Sequence, residues 1–118
     1  MLKVHARKSD SVEVLSLEGR IVIGNTETLR KAVQLTGDAD EIILDLANVA
    51  LVDAHGLGVL LQLREQALAN GIHFELINVS EPLSRVFEIT GLHNVFEIHS
   101  SVNFFPKPWY AQQVLAAA

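Results

Sequence analysis

Three consecutive apolar residues, Ile42-Ile43-Leu44, sit in the short run from Glu41 to Leu46. A β-branched segment this short, with no polar side left for solvent, reads as a strand covered on both faces. It therefore belongs at the centre of a sheet. The rest of the chain has to supply the neighbouring strands and the elements that cover them, and at 118 residues a single core suffices. A chain of this size buries roughly two thirds of the surface that it exposes when unfolded.

The neighbours are legible from periodicity. Leu2, Val4 and Ala6 alternate with Lys3, His5 and Arg7, and Val12, Val14 and Leu15 lead into Leu17, which predicts two strands joined by a turn at Ser9-Asp10-Ser11. Gly19-Arg20 closes the second strand, and Gly24-Asn25-Thr26 offers capping groups for a helix running to about Gly37, with Leu29, Ala32, Val33 and Leu35 as its buried side. Asp53 opens a second helix that continues to Asn70, with Leu57, Leu60, Leu61, Arg64 and Leu68 on one stripe and Gly71 as its stop. A strand from Ile72 to Val79 follows. Ser80-Glu81-Pro82 then starts a helix that turns Leu83, Val86 and Phe87 inward and ends at Gly91, with Leu92 able to pack back on Phe87. A strand over Val95–His99 precedes a tail from Phe104 to Ala118, in which Trp109–Ala117 can form a short final helix.

The expected architecture is α/β: a mixed sheet in the order β-β-α-β-α-β-α-β plus that C-terminal helix. Strands separated by helices imply right-handed parallel crossovers, and the opening hairpin implies an antiparallel edge. The helices are expected mainly on one face. No repeat or linker divides the chain, so residues 1–118 read as one domain, with 103–118 as an aromatic tail.

Composition excludes several function classes. Nine Lys and Arg stand against 14 Asp and Glu, for a formal net charge of −5, and the basic residues are scattered. Phosphate neutralisation needs clustered cations, so nucleic acid is not an expected partner. With no cysteine there is no disulfide framework, thiolate nucleophile or Cys-ligated zinc. The start, Met1 to Lys8, lacks the apolar core of a signal peptide. The longest apolar stretch is broken by Asp53 and His55 and falls far short of the ~20 residues that span a bilayer. A cytoplasmic, non-membrane domain is the expectation.

Several short patterns, in order, resemble the STAS domains, the fold of bacterial anti-sigma factor antagonists. The run Ile43-Leu44-Asp45-Leu46-Ala47-Asn48-Val49-Ala50-Leu51-Val52-Asp53-Ala54-His55-Gly56-Leu57-Gly58-Val59-Leu60 is similar to the family's signature segment. Leu15-Ser16-Leu17-Glu18-Gly19-Arg20 is similar to its second strand, and the stretch from Ser80 to Leu92 to its third helix. The resemblance implies a non-enzymatic signalling module that docks on a protein partner, an anti-sigma factor of the histidine-kinase-like ATPase type. It also implies a docking surface made of Asp53, Ala54, His55, Gly56 and Leu57 with Arg20, Val22, Asn25 and Thr26 from the Gly19–Thr26 loop.

Two departures bear on mechanism. In the family a phosphorylatable Ser or Thr lies between the Asp and the Gly, and here Ala54 and His55 occupy those positions, with His55 at the phosphorylation-site equivalent. Phosphorylation adds about −1.5 to −2 charges at a helix N-terminus, enough to expel a docked partner, and neither residue has the hydroxyl. The family also often carries an Asp two residues beyond the Arg20 position, where this chain has Val22.

Taken residue by residue, Asp53 is a helix cap at the positive end of the dipole. Gly56 and Gly58 serve tight packing of helix on sheet. His55 is open to three readings: part of a docking surface, an inert replacement, or a phospho-acceptor or base, the last lacking an adjacent nucleophile. His5, His73, His93 and His99 lack the i, i+4 spacing of a helical metal pair, so neither a metal nor any other cofactor is expected. Ser80 reads as a cap. The run Phe104-Phe105-Pro106-Lys107-Pro108-Trp109-Tyr110 either pins the terminus to the core or forms an apolar association patch. Binding of a small ligand such as a nucleotide or lipid, or a scaffold role in a larger signalling or transport complex, is the alternative function. The oligomeric state and the partner's identity are open.

Overall fold

The computed structural model describes residues 1–99. Five strands form one sheet in the order β1 (Leu2–Ser9), β2 (Val12–Ile21), β3 (Glu41–Val52), β4 (His73–Ile77) and β5 (Glu97–His99). β1 and β2 pair antiparallel, and every later neighbour is parallel. Three helices, α1 (Thr26–Gln34), α2 (Ala54–Ala69) and α3 (Glu81–Thr90), occupy the crossovers, and a 3-10 turn at Leu92–Asn94 leads into β5. The mixed sheet with an antiparallel edge is the architecture that the periodicity predicts. The tail that carries the aromatic run lies outside the described residues.

The consecutive apolar run in β3 divides its side chains between two faces. Ile42 and Leu44 enter the main core with Leu15, Leu17, Leu29, Leu60, Leu76 and Phe87, so the buried sides of all three helices share one face of the sheet. Ile43 points the other way, into a smaller cluster with Val14 and Ile77.

β3 runs six residues beyond the expected end at Leu46. Its pairing with β4 stops at Asp45–Ile77, whereas its pairing with β2 continues, across two register shifts, to Ile21–Val52. Beyond Asp45 the strand is flanked on one side only among the described residues, and the apolar pattern thins accordingly: Val49 and Val52 are buried while Leu51 is exposed. Asp45 marks the change. Its Oδ1 accepts from the Ala47 amide at 3.0 Å and from Asn78 Nδ2 at 3.2 Å.

The helix boundaries are corrected in detail. α1 ends at Gln34 rather than near Gly37, because Thr36 closes the last turn with its amide and hydroxyl both donating to the Val33 carbonyl. Leu35, expected inside, is 84% exposed. In α2 the buried stripe is Gly56, Val59, Leu60, Leu63 and Ala67 with Leu57, while Leu68 is half exposed. The expected stripe lies one position around the helix from the buried one, since Leu57, Leu60, Leu61 and Leu63 offer two adjacent stripes at helical spacing. The two later stops are as expected: Gly71 and Gly91 take φ of +72° and +76°, the left-handed conformation that glycine adopts at least cost. Ser80 caps α3 through Oγ, which accepts from the Leu83 amide at 3.4 Å, and Leu92 packs against the main core.

Candidate functional site

The end of β3 delivers Asp53 into extended backbone just before α2, so its carboxylate faces the orphan amides of the first turn. Oδ1 accepts from the Gly56 amide at 2.7 Å. Oδ2 reaches across the chain and accepts from the Ile23 amide at 3.0 Å. Asp53 is therefore more than a cap: it ties the β2–α1 loop to the start of α2. Those two amides, Ile23 first, hold its carboxyl below the ordinary aspartate range.

This clamp has a pH signature. A carboxyl whose folded-state pKa is depressed stabilises the fold above its unfolded pKa of about 4 and loses that contribution as pH falls through the lower, folded value. An Asp53→Asn variant should thus melt below the wild type at pH 7, with the gap narrowing as the pH falls below about 4. Thermal melts of both proteins at matched ionic strength test this, and a gap independent of pH contradicts it.

The loop that Asp53 holds is itself ordered by Asn25. Its Oδ1 accepts from the Val22 amide at 3.0 Å, and its own amide donates to the Val22 carbonyl at 3.1 Å. Asn25 therefore closes the turn before α1 without capping the helix by its side chain. Thr26 follows, buried, with Oγ1 3.2 Å from Nε2 of His55. The hydroxyl missing from the sequence neighbourhood of His55 is thus supplied through space, but at 5% exposure it orients the exposed imidazole rather than presenting itself to solvent.

Gly56 explains how the two segments come so close. A Cβ on Gly56 would sit 2.0 Å from the Ile21 carbonyl oxygen and 3.0 Å from Val52 Cγ1. Gly58, expected to serve the same packing, has open space around it and lies on the exposed side of α2. There it lines a shallow concavity with Arg30, Ala54, His55, Val59 and Gln62. Arg30 Nη2 donates to Gln62 Oε1 at 2.6 Å, joining α1 to α2 along its floor.

The residues expected at a docking surface therefore fall into two groups. Arg20, Ala54 and His55 are exposed, and Val22, Asn25 and Asp53 are half-buried. Gly56, Leu57 and Thr26 are buried and shape the surface from beneath. Sequence periodicity passes over Ile23, an apolar side chain 72% exposed on the loop that Asp53 holds. Its position one residue before a glycine, just past the buried end of β2, is the signal that marks it. Among the described residues no helix is long and apolar enough to cross a membrane.

Asp53 thus clamps the β2–α1 loop onto the strand–helix junction of a small α/β domain, a five-stranded mixed sheet with its helices on one face. The STAS domain pattern matches residues 3–105, and the chain belongs to that family. It is 29% identical over 98 residues to the anti-sigma-B factor antagonist of Bacillus subtilis, covering 82% of this chain and 90% of the relative. The crystal structure of an anti-sigma factor antagonist from Mycobacterium paratuberculosis superposes with a TM-score of 0.74 at 22% identity, over 84% and 86% of the two chains. The antagonist SpoIIAA in its unphosphorylated form superposes with a TM-score of 0.71 at 18% identity, over 97% of each chain. The fold is also similar to the phosphorylated form of the Bacillus SpoIIAA, with a TM-score of 0.66 at 18% identity over 95% and 99%.

Proposed function

We propose that this STAS domain is a cytoplasmic, non-enzymatic docking module that engages an anti-sigma factor or related kinase-like protein through the start of α2, and does so without a phospho-switch at that position. The observation that carries the reading is the exposed His55 between Asp53 and Gly56, its ring held by Thr26, at the position where the family presents a phosphorylatable hydroxyl. The names of the relatives support the partner class, and the net charge of −5 supports a protein rather than a nucleic-acid partner.

Arg20, Ile23, Ala54, His55 and the Gly58 side of α2 form the contact surface in this reading. Gly56, Leu57 and Thr26 hold it in shape. Binding follows from shape and an apolar contact at Ile23, so a kinase with ATP leaves the complex intact.

A His55→Ser variant tests the proposal by restoring the acceptor. Wild-type protein captured on its partner should stay bound after incubation with the cognate kinase and ATP. The variant should acquire one phosphate and lose affinity by at least about tenfold, which corresponds to about 1.4 kcal/mol, as charge accumulates at the contact. Wild-type protein that is phosphorylated within residues 53–57 and released, as seen by mass spectrometry of the bound and free fractions, overturns the reading.

A further inference from the structure

Away from the α2 junction, on the sheet face opposite the helices, β4 and β5 each present a histidine and a glutamate two residues apart. His73 and Glu75 lie on β4, Glu97 and His99 on β5, and Glu75 is the register partner of Glu97. Residues i and i+2 of a strand share a face, so the four lie side by side on it. His73 Nε2 contacts Glu75 Oε1 and lies 3.1 Å from Glu97 Oε2, and His99 Nε2 lies 3.8 Å from Glu75 Oε2. The donor atoms of Glu75, Glu97 and His99 all fall within 4.8 Å of one another, as do those of Glu41, His73 and Glu75.

Glu75 is the anomaly in this cluster. Its side chain is only 5% exposed, and Oε2 is buried with no hydrogen-bond partner among the described residues. Carboxylates are seldom buried unless they are paired or coordinate a metal, because desolvating the charge is expensive. This one directs its unsatisfied oxygen toward His99, while His73, Glu97 and His99 are each about half exposed and leave a path from solvent.

We propose that Glu75, Glu97 and His99 form a three-ligand binding site for a divalent transition-metal ion of the zinc type, with His73 holding the other oxygen of Glu75. One imidazole nitrogen and two carboxylates, with a fourth position left to water, are a donor set suited to Zn²⁺, whereas Ca²⁺ and Mg²⁺ favour oxygen throughout. Ligands at 2.0–2.2 Å from a tetrahedral ion stand roughly 3.4 Å apart; the donor atoms of Glu75, Glu97 and His99 all lie within 4.8 Å of one another, with His99 Nε2 3.8 Å from Glu75 Oε2. The ion satisfies Glu75 Oε2 and offsets the excess negative charge of Glu41, Glu75 and Glu97. It also cross-links the three-residue edge strand β5 to β4.

The test uses the full chain, stripped of metal and titrated with Zn²⁺ against a chromogenic chelator, with Co²⁺ as a spectroscopic substitute. One equivalent should bind, raise the melting temperature, and with Co²⁺ give the intense visible bands of a tetrahedral site. Glu97→Gln and His99→Ala alter half-exposed side chains, and each should weaken binding by at least about tenfold while leaving the metal-free melting temperature near that of the wild type. Glu75→Gln should do the same; if it fails to fold, the two exposed variants decide. Absence of stoichiometric Zn²⁺ binding, or equal affinity in the wild type and the Glu97→Gln and His99→Ala variants, overturns the proposal.

Discussion

Replacing Gly56 by alanine should destabilise the domain by about 3 kcal/mol or more, while the same change two residues on, at Gly58, should stabilise it by about 0.5–1 kcal/mol. The two glycines share a helix and differ in what their missing side chains face. A methyl on Gly56 meets the Ile21 carbonyl oxygen at 2.0 Å, and a backbone carbonyl in a paired strand cannot rotate aside as a flexible side chain does. The start of α2 must lift from β2, which breaks the Asp53 bonds to Ile23 and Gly56 as well. At Gly58 nothing lies within 4 Å, so alanine only removes the entropic penalty of a helical glycine. Chemical denaturation of the two variants beside the wild type reads both signs. Equal destabilisation by the two would contradict the close approach at Gly56.

Phe87→Ala should lower stability by about 3–5 kcal/mol, a large share of the 5–15 kcal/mol that holds a typical domain together. Phe87 is 1% exposed and stacks edge-to-face on Phe96 with ring centroids 5.7 Å apart. The loss therefore combines a cavity with a broken aromatic pair, the latter worth about 0.5–1.5 kcal/mol beyond area. In a domain of this size the melting temperature should fall by roughly 15 °C or more. Ile89, two residues along the same helix and 86% exposed, serves as the control: its change to alanine should stay within about 0.5 kcal/mol. A Phe87→Ala protein melting within a few degrees of the wild type would mean that α3 is not anchored through this ring.

Where local chemistry governs, the sequence was sufficient. The consecutive apolar residues of β3 predict a central strand, and Ile42, Ile43 and Leu44 are all fully buried, divided between two faces. Gly71, Ser80 and Gly91 each end or begin a helix as residue chemistry requires. Asp53 reads correctly as a cap for the same reason, since the amide that it must reach lies three residues away.

Where partners are distant in the chain, pattern alone fell short. The length of β3 depends on which neighbour continues alongside it, and that neighbour is β2, with Ile21 paired to Val52. The bond from the Ile23 amide to Asp53 spans thirty residues, and the contact of Thr26 with His55 spans twenty-nine, so neither the clamp nor the oriented imidazole has a local signature. The His/Glu cluster escapes a search for helical i, i+4 pairs because its spacing is i, i+2 on two strands that only the sheet brings side by side.

By itself, then, the sequence determined the order of elements, the family and the absence of a hydroxyl between Asp53 and Gly56, because propensity, capping and residue identity act over a few neighbouring positions. Only the tertiary structure decided which residues of the α2 junction face solvent, why Gly56 admits no side chain, and that Glu75 is buried with an unsatisfied oxygen. Those properties arise from strand register and from helix-on-sheet packing, which join positions far apart in the chain.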